Sequence, residues 1–163
     1  MDKLGIVIDI PGFGKRHIRI AVSDYTGTQS FGGAIEADVK KKLRQLVTLV
    51  ELHIVTVDSF GTADSELAGI VTPYKLRTGR HDIEKADYVS QFDLQHVAAF
   101  GNGNNDRLIL QAVKDGGGLA IAVDNGEGCA MDAMRNADLF VVGAANAIDL
   151  LLNPLRLKAT LRF

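Results

Sequence analysis

Ile18-Arg19-Ile20-Ala21-Val22, then Ser23, then Asp24-Tyr25-Thr26-Gly27-Thr28 is the stretch whose reading decides the fold. The first five residues are apolar at all but one position and read as a buried strand, and the last five are rich in turn formers that end it. A carboxylate at the end of such a strand stands on the C-terminal edge of a sheet, where open α/β folds bind their ligands. Gly27 lets the chain turn away sharply, and the backbone and hydroxyls of Thr26 and Thr28 can face a phosphate or a metal ion. Asp24 is thereby placed to attack phosphorus, and a carboxylate nucleophile that forms an acyl phosphate divides one hard displacement into two easier ones. The same residues also make an ordinary strand end and turn. A second cluster, far along the chain, separates the two readings.

Val97-Ala98-Ala99-Phe100 is another apolar run, and it ends in Gly101-Asn102-Gly103-Asn104-Asn105-Asp106. Leu108, Ile109, Leu110 and Ala112 follow with the spacing of a helix packed on a sheet. A Gly-rich polar loop that leads into a helix turns backbone N–H groups towards an anion. Asp106 adds an oxygen donor of the kind a hard cation such as Mg²⁺ prefers, or else caps the helix. Between the two clusters, Leu52-His53-Ile54-Val55-Thr56-Val57-Asp58-Ser59 reads as a strand ending in hydroxyl and carboxylate groups. Thr56 there is either a donor to a phosphoryl oxygen or a β-branched strand residue. Lys85, near the start of Ile83–Val89, is either a cation for a nucleophile and its phosphate or a solvated helix lysine.

In order, Asp24, Thr56, Lys85 and the Gly101–Asp106 loop resemble the four motifs of the haloacid dehalogenase superfamily. Asp-Tyr-Thr-Gly-Thr looks like the phosphorylated segment of P-type ATPases, with Tyr25 in place of their lysine. The chain is most similar to the small soluble P-type ATPase-like members, in which a phosphorylation domain stands without membrane helices. The resemblance covers nearly the whole chain, through Asp149–Leu157. It implies a Rossmann-like core and a Mg²⁺-dependent phosphohydrolase or phosphotransferase (a phosphatase) working through phospho-Asp24. Asp24 would be the nucleophile and a metal ligand, with the Thr26 carbonyl as another. Thr56 and Lys85 would hold the phosphoryl group, Lys85 offsetting its charge in the transition state. Asn102 and Asp106 would complete the metal site, while Gly27, Thr28 and Asn105 would contact the substrate.

Two departures from the family pattern carry consequences. Thr26 stands where most superfamily phosphatases have a second Asp as general acid and base, and losing that help costs about two to four orders of magnitude. Hydrolysis of the phospho-aspartate is then slow. Asn102 stands where P-type ATPases have a metal-binding Asp, so one negative charge is missing and Mg²⁺ affinity falls. Together they support an alternative: a catalytically weak or inactive regulatory or binding module that keeps the fold.

Composition bounds the rest. The 163 residues are 47% hydrophobic, enough for a single domain over 1–163 with a real core. A net charge of −2 gives no electrostatic case for nucleic acid or an anionic membrane. Lys40, Lys41, Lys42 and Arg44 read as the outer face of a helix near Ala37–Leu49 whose inner face carries Val39, Leu43, Leu46 and Val47. Cys129 is the only cysteine, so an internal disulfide is impossible and a reducing, cytoplasmic location fits. His17, His53, His81 and His96 have no metal-site spacing. No signal peptide and no bilayer-length apolar stretch is visible, which excludes ion transport by this chain alone. No Gly-x-Gly-x-x-Gly follows the first strand, which argues against a dinucleotide-binding oxidoreductase.

Apolar strands alternate with helical segments, the pattern of a parallel sheet with helices on both faces. Ile6–Ile10 and the turn Pro11-Gly12-Phe13-Gly14 predict an N-terminal β-hairpin that offers the sheet an antiparallel strand. Further helices are expected near Thr62–Ala68, Ile83–Phe92, Cys129–Asn136 and Ala144–Leu152, and strands at Leu119–Val123 and Asp138–Val142. Asp24, Thr56 and Lys85 are separated by about thirty residues each, room for one βα unit and not for a cap domain. The site should therefore be open, suited to a phosphorylated small molecule or macromolecule, or to a lid from another subunit of a homo-oligomer. The basic segment Tyr74–His81 reads as a substrate rim or an exposed loop. Asp58 and Asp64 either approach the site or make a turn and a helix start, which explain both.

Overall fold

The computed structural model describes residues 2–163. The chain begins with two strands, β1 (Ile6–Ile10) and β2 (Gly14–Ile18), followed by β3 (Ile20–Ser23), α1 (Ala37–Leu49) and β4 (Glu51–Thr56). The single turn α2 (Ala63–Glu66), the edge strand β5 (Tyr74–Lys75) and α3 (His81–Val89) come next. Three βα pairs close the chain: β6 (Val97–Gly101) with α4 (Arg107–Asp115), β7 (Leu119–Asp124) with α5 (Met131–Arg135), and β8 (Leu139–Val142) with α6 (Ala144–Leu152), which leads into α7 (Pro154–Leu161). Strands β3 to β8 form a parallel sheet in the order β5-β4-β3-β6-β7-β8. The order reverses between β3 and β6, and at such a switch point a crevice opens beyond the C-terminal ends of the strands.

The central strands are buried on both faces, so they read as continuous apolar runs rather than alternating ones. Val97, Ala98, Ala99 and Phe100 are all essentially inaccessible, and successive residues serve opposite cores. On one face Ala98, Phe100, Leu119, Ile121 and Val123 meet α1, α6 and α7. On the other, Val22, Ala99, Ala120 and Ala122 are small, and Ile109, Leu110 and Val113 of α4 pack onto them. α1 turns Val39, Leu43 and Leu46 inwards at the expected i, i+4, i+7 spacing. The expectation of a parallel sheet covered on both sides holds.

The hairpin forms, but it does not extend the sheet. β1 and β2 make a separate antiparallel pair, Ile6 opposite Ile18 and Ile10 opposite Gly14. Ile6, Ile8, Ile10 and Ile18 present one apolar face, and they bury it in the core beneath α1, α6 and α7 rather than beside an edge strand. Ile18 thus belongs to the hairpin, and the strand that carries Asp24 begins at Ile20. The helix expected at Thr62–Ala68 shrinks to one turn, and part of the basic segment after Tyr74 becomes β5.

Among the described residues no inserted domain stands over the C-terminal edge of the sheet. Residues 24–36 join β3 to α1, and residues 57–80 join β4 to α3 while holding only α2 and β5. Among the described residues no helix is long and apolar enough to cross a membrane.

Candidate active site

Asp24 is the first residue past β3, and its N–H still bonds the Phe100 carbonyl at 3.0 Å, so the side chain is fixed between the tips of β3 and β6. The chain then wraps tightly: the Tyr25 carbonyl accepts the N–H groups of Thr28, Gln29 and Ser30 at 3.3, 3.0 and 3.0 Å. Tyr25 itself is wholly buried, its hydroxyl donating to the Gly33 carbonyl at 2.9 Å. Gly27 is required twice over. Its φ is +75°, and a Cβ there would fall 2.5 Å from Nδ2 of Asn102.

The β6 tip is built around Asp106. Its Oδ2 accepts the N–H groups of Asn102 and Gly103, both at 3.0 Å, which folds the loop back over the carboxylate. Gly101 makes room, since a Cβ would lie 2.5 Å from Cβ and Cγ of Asp106. From α3, Lys85 reaches in with only 1% of its surface exposed. Its Nζ is 2.7 Å from Oδ1 of Asp106, 3.1 Å from Oδ1 of Asp24 and 3.3 Å from Oδ1 of Asn105. At the end of β4, Oγ1 of Thr56 accepts the Asp58 N–H at 2.8 Å.

Of the residues singled out in the sequence, Asp24, Thr26, Thr56, Asn102 and Asn105 line one cavity of about 160 Å³. Lys85 and Asp106 touch that set from behind. Thr28 and Gly27 are nearby but serve differently: the Thr28 hydroxyl, fully buried, donates to Oδ1 of Asn102 at 3.1 Å, and Gly27 leaves space for the same side chain. Val57 and Ser59 also line the cavity. Nothing in their residue types points to a site; only their position after Thr56 could have found them. None of the histidines lines the cavity: His53 bridges Tyr88 and Glu51, and His17 packs against His96.

No protein-family model matches the chain. An uncharacterized protein of Methanocaldococcus jannaschii is 42% identical over 66 residues, which are 40% of this chain and 67% of that protein. The chain belongs to that protein's family. Among solved structures, 3-deoxy-D-manno-octulosonate 8-phosphate phosphatase from Moraxella catarrhalis, in complex with magnesium, phosphate and KDO, superposes with a TM-score of 0.62. The match covers 89% of this chain and 94% of that one at 16% identity. The cobalt-bound deoxy-D-mannose-octulosonate 8-phosphate phosphatase of Haemophilus influenzae gives 0.64 at 11% identity, over 83% of this chain and 88% of the other. A haloacid dehalogenase-like family protein from Streptococcus pneumoniae gives 0.55 at 12%, over 80% and 96%. The chain has the haloacid dehalogenase fold.

On this haloacid dehalogenase frame the electrostatics of the cavity are lopsided. Burial pushes the Asp24 carboxyl up to about 7, and the charge of Asp106 adds to the rise while Lys85 opposes it. Burial alone would lower the Lys85 pKa, but Asp106 and Asp24 outweigh it and the ammonium pKa rises. One buried cation therefore faces two carboxylates, of which Asp24 borders the cavity. Beside them the Thr26 hydroxyl is buried with no hydrogen-bond partner in the protein. An orphaned buried hydroxyl costs roughly 1–3 kcal/mol until something satisfies it.

Proposed function

We propose that this chain is a Mg²⁺-dependent phosphohydrolase or phosphotransferase that works through a phospho-Asp24 intermediate, with residues 1–163 acting as one core domain and an open site. The observation that carries the reading is the Asp24 carboxylate at the switch-point crevice, 3.1 Å from a buried lysine, in a cavity of about 160 Å³. That volume suits a phosphoryl group; the rest of a phosphorylated substrate would lie outside, on an edge with no inserted domain over it.

The donor chemistry fits a hard cation, weakly. The cluster of Asp24, Asp106 and Lys85 carries a surplus negative charge, and the amide oxygen of Asn102 and the carbonyl of Thr26 add neutral donors. Among the described residues no group of three or more His, Cys, Asp or Glu converges. Asp24, with Asn102 and the Thr26 carbonyl, would hold Mg²⁺, and Asp106 would act from behind them, directly or through water; the ion when bound supplies charge that offsets the phosphoryl oxygens.

The protein's own groups account for the remaining steps. Lys85 holds Oδ1 of Asp24 and so fixes the direction of the carboxylate. The ionised carboxylate attacks phosphorus, the bond from phosphorus to the leaving oxygen breaks, and the electron pair departs with that oxygen. Lys85 and the Thr56 hydroxyl face the phosphoryl oxygens as their charge redistributes. Water then opens the acyl phosphate, releasing inorganic phosphate and restoring Asp24. Thr26 offers no acid for the leaving oxygen and no base for the water, so acyl and aryl phosphates should outrun alkyl phosphates by about 10²–10⁴.

The test is phosphate release from acetyl phosphate, p-nitrophenyl phosphate and glycerol phosphate with Mg²⁺, for wild type and Asp24→Asn. Turnover of the first two that needs Mg²⁺ and vanishes in Asp24→Asn supports the reading; turnover that survives the substitution sinks the nucleophile. A second reading, a regulatory or binding module with little activity, is favoured by the saturation of Asp106. Its two oxygens already hold Lys85 and two backbone N–H groups. Absence of any Mg²⁺-dependent signal at millimolar concentration would select that reading.

A further inference from the structure

Thr56 needs a free O–H to serve a phosphoryl group, and its surroundings arrange that. Its oxygen accepts the Asp58 N–H, which occupies a lone pair and leaves the proton to donate into the cavity. The geometry of that bond depends on Asp58, which sits at φ +60° and is, among the described residues, the one non-glycine residue in the left-handed region. Such a conformation persists only where the surroundings over-determine it. Here they do. Oδ1 of Asp58 accepts the N–H groups of Thr62 and Ala63 at 3.0 and 3.1 Å, and Oδ2 meets Nζ of Lys75 at 2.6 Å. Lys75 lies directly opposite Thr56 in the β4–β5 ladder, and the Leu76 N–H bonds the Thr56 carbonyl at 2.8 Å. Its ammonium also reaches Asp64 on α2, at 2.9 Å.

We propose that Lys75 and Asp58 are positioning residues: the ion pair between them locks the left-handed turn after β4 and so aims the Thr56 hydroxyl at the phosphoryl group. The inference rests on the reading of Thr56 given above. It assigns a task to a two-residue edge strand that contributes almost nothing to the core. Neither residue needs to touch the substrate; both act through the Asp58 N–H.

A double-mutant cycle tests it, read as inhibition of p-nitrophenyl phosphate turnover by inorganic phosphate and, independently of turnover, as direct phosphate binding in Mg²⁺. Thr56→Val should weaken phosphate by about three- to tenfold, the worth of one hydrogen bond. Lys75→Gln should weaken it by about two- to fivefold in the wild-type background and by nothing further in Thr56→Val, because both act through one hydroxyl. Lys75→Arg should restore most of the loss. Equal losses from Lys75→Gln in both backgrounds, or a lower melting temperature with phosphate affinity intact, would overturn the positioning role and leave the site reading standing. If Thr56→Val leaves phosphate binding unchanged, or the wild type binds none, the site reading fails and takes this inference with it.

Discussion

Lys85 lies between two carboxylates, whereas Asp149 lies between two cations. In the first cluster Asp106 and Asp24 flank an ammonium whose side chain is 2% exposed. In the second, Lys42 at 2.9 Å and Arg156 at 3.4 Å flank the carboxylate, with side chains 20% and 63% exposed. Both clusters pair lysine with aspartate, and the bookkeeping is opposite. The Asp149 cluster carries a surplus positive charge that water reaches, and it fastens α1 to α6 and α7. The Lys85 cluster carries a surplus negative charge around a cation that is only 2% exposed, which is expensive to keep. Ion pairs as such do not mark a working site. An unbalanced charge at the switch point of a parallel sheet is what sets the proposed site apart.

The sharpest way to break this comparison is Lys85→Met. It removes the cation and leaves Asp24 and Asp106 facing each other, so turnover should fall by about 10²–10³. Stability at pH 8 should fall by roughly 3–5 kcal/mol, the cost of breaking a buried pair. The loss should shrink towards pH 6, where Asp24 accepts a proton. Chemical denaturation at the two pH values reads it, and an unchanged midpoint would show that the buried charge is not lopsided.

Asp24→Asn should act in the opposite sense on stability. Asp24 titrates near 7 in the folded chain against an ordinary value of 3.8, so between those values the folded state binds more protons than the unfolded one. Stability is then lost as pH climbs from about 4 to about 7, and the amide does not share that loss. Above pH 7, in chelator, the variant should be more stable by roughly 1–4 kcal/mol while turnover disappears. A variant that loses both stability and activity would place the strain elsewhere.

Much of this frame was legible in the residues. α1 and α6 have the bounds that their apolar spacing gives, Ala37–Leu49 and Ala144–Leu152. The tips of β3, β4 and β6 carry the expected side chains because a strand running into Gly, Asn and Asp can hardly do otherwise. What stayed hidden depends on tertiary contact. β5 has two residues, too few for any periodicity, and is held by the Thr56 carbonyl and the Lys75 ion pairs. α7 buries only Leu157, so it shows no apolar stripe; Pro154 in its first turn was the one available sign. The order of the four motifs points to Lys85, but its residue type alone reads as a solvated helix lysine, and its ties to Asp24 and Asp106 need strands far apart in sequence. Asp58 reads as a turn residue, and neither its left-handed backbone nor its tie to Lys75 follows from type or spacing.

The smallest effect belongs to the open cluster. Lys42→Met leaves the Asp149 carboxylate with Arg156 at 3.4 Å and the Asn153 amide at 3.4 Å, and the Arg156 side chain is 63% exposed. The substitution should cost about 1–2 kcal/mol, less than at Lys85, because the exposed Arg156 remains to compensate the carboxylate. Half-molar salt should shrink the difference further, because the Debye length then falls below about 5 Å. Turnover should not change, since Lys42 lies on α1, remote from the crevice at the tips of β3, β4 and β6. A loss at Lys42 as large as the one at Lys85, insensitive to salt, would mean that the surplus charge and its burial do not set the cost. The contrast between the two clusters would then have to rest on packing alone.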